Sequence, residues 1–200
     1  PSDWLPTPRR AAFIITNMAF MPLFGWPIMV PTAVSQPCPD IGVVFARGTS
    51  EPPGVGSVGQ RFVEALRTQA FPRTVGVHGV NYPASNNFAD GPAFQMNVVE
   101  GVRDESAHIQ GVTSVCPNTR MVLGGYSQGA VVTALATSGV VPAALAPGAA
   151  PPPLPADVID NVAAVVLFGT PAGWSAEKYG AAPIDVGTAY AAKALELCAP

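Results

Sequence analysis

Charged residues are scarce in this 200-residue chain. They make up 12% of it, with 10 Lys and Arg against 13 Asp and Glu, and the formal net charge is −3. The basic residues form no cluster longer than a pair. Because a protein that binds nucleic acid needs a concentrated basic patch, the composition argues against a nucleic acid partner.

Potential metal ligands are also few. The chain has 2 His and 3 Cys, and they are not grouped at the spacing of a metal site. It contains no glycine-rich motif of the kind that cradles phosphates. We therefore expect neither a metal nor a cofactor.

Charge is absent from the segment near the N-terminus. Residues 11–30 are an apolar run that follows two arginines, and residues 33–35 (Ala-Val-Ser) resemble a signal-peptide cleavage site. We predict that residues 1–35 are a signal peptide and that the protein is secreted, which leaves one domain over residues 36–200. A retained membrane anchor is the alternative, because about twenty residues can span a bilayer, but two prolines interrupt the run.

The remaining sequence alternates short apolar runs with segments of helical spacing. This order predicts an α/β domain whose parallel sheet is covered by helices on both faces. On the second predicted helix, Val98, Val102 and Ile109 share one side. The predicted strands are residues 41–46, 74–80, 120–125 and 162–168, and the predicted helices are residues 59–68, 97–110 and 129–137.

Residues 142–156 depart from that order. They consist almost entirely of Pro, Ala, Leu and Gly, which excludes a regular helix or a central strand. We interpret the stretch as a surface loop; a wall of a substrate cleft is the alternative.

Two of the three cysteines precede predicted strands. Cys38 comes just before the first strand and Cys116 just before the third. If those strands are neighbours, the two residues lie close together, and a disulfide is expected in an exported protein. Two buried free thiols are the alternative. Cys198 is left without a partner.

The strongest local pattern is Gly-Tyr-Ser-Gln-Gly at residues 125–129. In a nucleophile elbow, a strand turns sharply into a helix and presents a serine, and the flanking glycines allow close packing. Short patterns of this kind also arise by chance, but here a predicted strand precedes the motif and a predicted helix follows it. We predict that Ser127 is a catalytic nucleophile rather than a serine in an ordinary turn.

Acyl transfer also requires hydrogen-bond donors for the developing oxyanion. The loop after the first strand, residues 45–51, leaves the sheet at the same edge as the elbow. The hydroxyl of Thr49 could act there with the N–H of Gln128. In the alternative interpretation, Thr49 and Ser50 only cap the next helix or a turn.

Five ordered motifs resemble the cutinase family, and most closely the actinobacterial cutinase-like esterases. The resemblance covers about residues 37–200. The motifs are Cys-Pro-Asp at 38–40, Ala-Arg-Gly-Thr-Ser-Glu at 46–51, Asn-Tyr-Pro-Ala-Ser at 81–85, Cys-Pro-Asn-Thr at 116–119 and Gly-Tyr-Ser-Gln-Gly at 125–129.

The resemblance implies a small α/β-hydrolase with a sheet of about five strands and no large lid, acting on carboxylic esters at or near lipid surfaces. By matching motifs, Ser127 is the nucleophile, Thr49 and Gln128 form the oxyanion hole, and Cys38 pairs with Cys116. Residues 189–197 match the family's fifth strand.

The chain departs from the family after that strand. There the family has a cysteine, then the triad Asp with a second cysteine, and later the triad His, whereas this sequence stops two residues after Cys198. We expect the C-terminal part of the domain to be missing, with the triad Asp and His not in this chain, and a polypeptide of these 200 residues to have little esterase activity.

The histidines present do not fit the missing base. His78 and His108 both precede Ser127, whereas this fold orders serine, acid, histidine. We expect Asp104 and His108 to pair on the surface of the second helix, and His78 to be a packing residue of its strand. Asp185 is interpreted as a turn residue.

The expected substrate is a lipid or polymer ester with an apolar acyl chain, met in transient contact with a lipid surface. An esterase acting on acetylated polysaccharide is one alternative. A non-catalytic secreted remnant is the other, and it is motivated by the absent triad residues.

Overall fold

The computed structural model describes residues 37–138, 151–152, 154–171 and 186–198. The predicted signal peptide, most of the proline-rich stretch 142–156 and Asp185 lie outside the described residues. Within the described ranges, no helix is long and apolar enough to cross a membrane.

Five parallel strands of the described residues form one sheet in the order β2-β1-β3-β4-β5. The central strands are continuous apolar runs because helices cover both faces of the sheet. This architecture confirms the predicted α/β class. The strands are β1 (Ile41–Ala46), β2 (Val75–Gly79), β3 (Arg120–Tyr126), β4 (Val162–Phe168) and β5 (Ala194–Leu197).

In the part of the chain that the structure describes, four helices pack on the sheet and enclose two apolar cores, one on each face. In one core, Val63 of the first helix packs with Val43 and Phe45 of β1. In the other core, the second and third helices pack against the opposite face. The helices are α1 (Gly56–Ala70), α2 (Gly91–Val115), α3 (Gln128–Thr137) and α4 (Ala156–Asn161).

Several elements differ from the sequence prediction, and helix α1 extends beyond its predicted bounds at both ends. Helix α2 begins six residues earlier than predicted, because the Asp90 side chain accepts a hydrogen bond from the N–H of Ala93 (3.1 Å) and Pro92 is tolerated in the first turn. Helix α4 was not predicted. Strand β5 begins at Ala194 rather than residue 189, because Ala191–Lys193 form a single 3₁₀ turn.

The disulfide between Cys38 and Cys116 is present. Strands β1 and β3 are neighbours, with Ile41 paired to Arg120, so the residues that precede them meet at one edge of the sheet. The Cα atoms of the two cysteines are 5.6 Å apart. Cys198 is a free, exposed thiol.

At the opposite edge, the ends of β1 and β3 are also adjacent, with Ala46 paired to Gly125. The loop after β1 and the turn after β3 therefore emerge side by side, as carboxyl ends of parallel strands do.

Candidate active site

The turn between β3 and α3 holds Ser127 in an unusual backbone conformation, with φ 52° and ψ −116°. Its N–H donates to the carbonyl oxygen of Phe168 (2.9 Å), and its carbonyl accepts from the N–H of Ala130 (2.9 Å). A positive φ costs free energy for a residue with a side chain, so the surrounding bonds must enforce it. This is the geometry expected of a nucleophile elbow.

The two glycines of the motif allow this turn. A Cβ added to Gly125 would lie 2.1 Å from the carbonyl oxygen of Gly129, and one added to Gly129 would lie 2.0 Å from the carbonyl oxygen of Ala46. No side chain fits at either distance. The glycines therefore let α3 approach both β3 and β1 directly.

Ser127 occupies the N-cap position of α3, yet its side chain makes no capping hydrogen bond. Serine is a preferred N-cap because its hydroxyl usually accepts a backbone N–H. Here the half-buried side chain does not have that structural role. Its hydroxyl is therefore available for chemistry.

Thr49 lies beside the first residue of α3. Its Oγ1 donates to Oε1 of Gln128 at 3.4 Å, and Nε2 of the same buried glutamine donates to the carbonyl oxygen of Ser85, also at 3.4 Å. The structure thus brings together the loop after β1, the loop after β2 and the start of α3. The N–H groups of the first helical turn, including that of Gln128, have no partners within the helix and carry its positive dipole end.

Thr49 and Ser50 do not cap the next helix. The N-cap of α1 is Val55, without a side-chain bond. Instead, the two residues form the middle of a turn closed by a bond from the N–H of Glu51 to the carbonyl oxygen of Gly48 (3.3 Å). The helix-cap alternative is therefore wrong, and the bond that closes the turn joins backbone atoms rather than the side chains of Thr49 and Ser50.

Sequence reasoning missed the residue that fixes this loop, Arg47. Its side chain is 96% buried and its guanidinium donates to the carbonyl oxygens of Glu51 (2.8 Å), Val80 (3.2 Å) and Tyr82 (2.5 Å). The Tyr82 hydroxyl donates back to the carbonyl oxygen of Arg47, and the guanidinium lies over the Tyr82 ring. One buried cation thus joins the loops after β1 and β2.

Glu51 fixes the other end of the loop. Its carboxylate accepts from the N–H of Gly48 and from both the N–H and the hydroxyl of Ser57, each at 2.7 Å. Burial raises the pKa of Glu51, but these hydrogen bonds and the charge of Arg47 outweigh that effect and hold the pKa below its ordinary value. The sequence signal that could have identified Arg47 is an arginine directly after a fully buried strand.

Replacing Arg47 with methionine is expected to lower the free energy of unfolding by about 2 to 3 kcal/mol, because two buried carbonyl groups and one partly buried carbonyl group lose their donor. Equilibrium urea denaturation measures this difference. The matched control is Arg61→Met on the exposed side of α1. Equal stabilities of the two variants would contradict the role of Arg47 in joining the loops after β1 and β2.

The two histidines form their own cluster away from this turn. The rings of His78 and His108 stack with centroids 3.7 Å apart, and Nε2 of His78 lies 2.8 Å from Asp104 Oδ2. The predicted Asp104–His108 pair is wrong, because the carboxylate contacts His78 and the N–H of Asn81 instead. Strand β1 lies between the strand of His78 and the strand that leads to Ser127.

Titration of His108 reflects this cluster. Partial burial lowers its pKa, the neighbouring His78 lowers it further, and the charge of Asp104 opposes both. In the part of the chain that the structure describes, no group of three His, Cys, Asp or Glu side chains is arranged to hold a metal ion.

Comparisons with known proteins place the chain in a family. The cutinase family model matches residues 37–200. Carboxylesterase Culp1 of Mycobacterium tuberculosis is 45% identical over 170 residues, covering 84% of this chain and 69% of Culp1. Phospholipase Culp4 of the same organism is 43% identical over 165 residues, covering 82% of this chain and 67% of Culp4.

Two solved structures from Trichoderma reesei share the fold. A cutinase in complex with a phosphonate inhibitor has a TM-score of 0.58 and 37% identity, covering 82% of this chain and 63% of that one. The catalytic core of an acetyl xylan esterase has a TM-score of 0.61 and 28% identity, covering 81% and 83%. The chain thus spans roughly two thirds of several relatives, and with the family match over all of residues 37–200 it belongs to the cutinase family.

Proposed function

We propose that the protein is a secreted serine esterase that hydrolyses carboxylic esters through an acyl-enzyme on Ser127. The observation that carries the proposal is the strained turn at Ser127, whose hydroxyl is not used as a helix cap. The curated relatives named carboxylesterase and phospholipase support the reaction class.

In the proposed reaction, Ser127 acts as the nucleophile, and Thr49 and Gln128 supply hydrogen-bond donors. Oγ of Ser127 attacks the ester carbonyl carbon and loses its proton to a histidine other than His78 and His108. The Thr49 hydroxyl and the Gln128 N–H stabilise the oxyanion. The bond to the alcohol then breaks, and the histidine returns the proton to the departing alcohol. Water, activated by the same histidine, releases the acid from Ser127.

The long contact between Thr49 and Gln128 suits this role. A hydrogen bond of 3.4 Å is weak, so the Thr49 hydroxyl can rotate from Gln128 towards a charged oxygen at little cost in free energy. The positive end of α3 adds to the same stabilisation.

We assign the base to neither His78 nor His108. Their rings are stacked on each other, and His78 contacts Asp104. A histidine that serves as a base must instead reach the serine hydroxyl.

We infer an ester with an apolar acyl chain. The loop after β2, whose Ser85 carbonyl binds the Gln128 side chain, continues into Phe88, and Met96 follows on the first turns of α2; both side chains are 39% exposed. Exposed large apolar side chains on the segment that follows the Ser85 contact favour an apolar substrate or a lipid surface.

An esterase for acetylated polysaccharide is the second candidate. The acetyl xylan esterase fold match, with a TM-score of 0.61, favours it. Such an enzyme removes a two-carbon acyl group and gains nothing from an apolar acyl site.

An acyl-chain series distinguishes the two. The protein, expressed from its complete gene, is assayed with p-nitrophenyl acetate, butyrate and octanoate and with acetylated xylan. We expect kcat/KM to rise from acetate towards the longer chains. A preference for acetate together with acetate release from xylan would overturn the lipid-ester assignment.

Secretion is supported by the Cys38–Cys116 disulfide, because such bonds persist in oxidising compartments. Sequencing the N-terminus of the mature protein from the culture medium tests it. A new N-terminus near residue 36 is expected, and a cell-bound product that retains residues 1–35 would contradict secretion.

A further inference from the structure

A carboxyl group is buried behind the Ser127 turn. Glu105 lies in the middle of α2 with 0% of its side chain exposed, where α2 packs against α3. It occupies the apolar side of its helix, in the stripe formed by Val98, Val102 and Ile109. Burial of an ionised carboxylate is costly unless several donors surround it.

Glu105 has few donors. Its Oε2 lies 3.2 Å from Oγ1 of Thr133 on α3, and its Oε1 has no hydrogen-bond partner among the described residues. Oγ1 of Thr133 also lies 2.9 Å from the carbonyl oxygen of Gly124 in β3. Two oxygen atoms, one of Glu105 and one of Gly124, thus lie within hydrogen-bond distance of one threonine hydroxyl.

The count of protons decides the arrangement. A threonine hydroxyl carries one hydrogen and can accept another bond. If Glu105 were ionised, its carboxylate and the Gly124 carbonyl would compete for that single hydrogen. If Glu105 is a neutral acid, it donates to Thr133, and Thr133 donates to Gly124, so both contacts are satisfied at once.

We propose that Glu105 is a neutral carboxylic acid and a positioning residue for the Ser127 turn, acting through Thr133 on the carbonyl of Gly124. Gly124 lies three residues before Ser127, and Thr133 six residues after it. The chain of hydrogen bonds therefore ties the strand before the turn to the helix after it, with α2 as support.

The electrostatic surroundings agree with a neutral acid. Burial raises the pKa of Glu105 to about 8, the Thr133 hydroxyl lowers it, and the charge of Asp104 raises it. The charge of an ionised Glu105 would raise the pKa of the Tyr82 phenol. Helix α3 carries no ionisable side chain. Helix α4 contributes only exposed aspartates, at residues 157 and 160.

A pH dependence of stability follows. An unfolded glutamate loses its proton near 4.5, whereas folded Glu105 retains it up to about 8. Between these values unfolding releases a proton, so rising pH favours the unfolded state. The contribution of Glu105 to stability is complete below about 4.5, declines up to about 8, and changes no further above that.

The direct test is a ¹³C NMR titration of the Glu105 carboxyl in the intact protein. We expect its resonance to titrate near pH 8 and to vanish in Glu105→Gln. A Glu105 resonance that titrates below pH 5 would overturn the proposal.

Urea denaturation across pH 4.5 to 8 supplies the second test. The amide of Glu105→Gln can still donate to Thr133, so this variant should lose less stability over the interval than the wild type. Glu100→Gln should behave as the wild type does. A slope unchanged by Glu105→Gln would show that Glu105 is ionised in the folded protein.

Hydrogen exchange tests the positioning role. The N–H of Ala130, bonded to the Ser127 carbonyl, should exchange at least about tenfold faster in Thr133→Val, which removes the hydroxyl, than in Thr133→Ser, which keeps it. Equal exchange in the two variants would show that the bonds do not hold the turn.

Discussion

Replacing Ser127 with alanine is expected to lower kcat/KM for ester hydrolysis by about 10³-fold or more. The variant keeps the Gln128 N–H and the Thr49 hydroxyl, but no acyl-enzyme can form without Oγ. Steady-state kinetics on the protein expressed from its complete gene measures the loss. Mass spectrometry after treatment with a phosphonate should find the adduct on Ser127 of the wild type.

Two controls separate chemistry from folding. Ser114→Ala removes an exposed hydroxyl from the last turn of α2 and should leave the rate unchanged. Ser127→Gly should also be inactive, but more stable than Ser127→Ala by about 1 kcal/mol, because glycine accepts a positive φ without strain. Hydrolysis by Ser127→Ala at the wild-type rate would rule out Ser127 as nucleophile.

The parts of the fold that sequence predicted well are those with both faces buried. Strand β4 has its predicted bounds, and β3 is one residue longer than predicted, because a buried parallel strand reads as an unbroken apolar run. Helix α2 begins six residues before its predicted start, because its first turn begins with Gly91 and Pro92, which resemble a loop, and it ends at Val115 rather than at residue 110. Hydrogen bonds from the N–H groups of Ala93 and Phe94 to Asp90 mark the true start.

The site was predictable where a short motif encodes it. Ser127 and Gln128 belong to one motif and Thr49 to another, and the sheet order brings the two together. The function of Arg47 was not visible, because its acceptors at Val80 and Tyr82 are more than thirty residues away in sequence. No local pattern encodes such bonds.

Glu105 is an intermediate case. It falls in the helical stripe of Val98, Val102 and Ile109, so its burial was predictable from spacing. Its partner was not, because the hydroxyl of Thr133 lies 28 residues away on another helix. A polar residue at a core position of a helix therefore indicates a buried hydrogen-bond partner on the neighbouring helix.

Replacing Gly129 with alanine should destabilise the fold by about 4 kcal/mol or more, which is at the extreme of single substitutions. The new Cβ would lie 2.0 Å from the carbonyl oxygen of Ala46, a backbone atom of a central strand. Neither β1, held between β2 and β3, nor α3 can yield without breaking other contacts. Equilibrium urea denaturation measures the change.

The matched control is Gly111→Ala on α2, where an added Cβ meets nothing within 4 Å. It should stabilise the protein by up to about 1 kcal/mol, because alanine is the better helix former. Any folded Gly129→Ala should also be less reactive towards the phosphonate, since pushing α3 from β1 moves the Gln128 N–H away from Thr49. A Gly129→Ala protein as stable and reactive as the wild type would mean that the two backbones do not approach as closely as this turn requires.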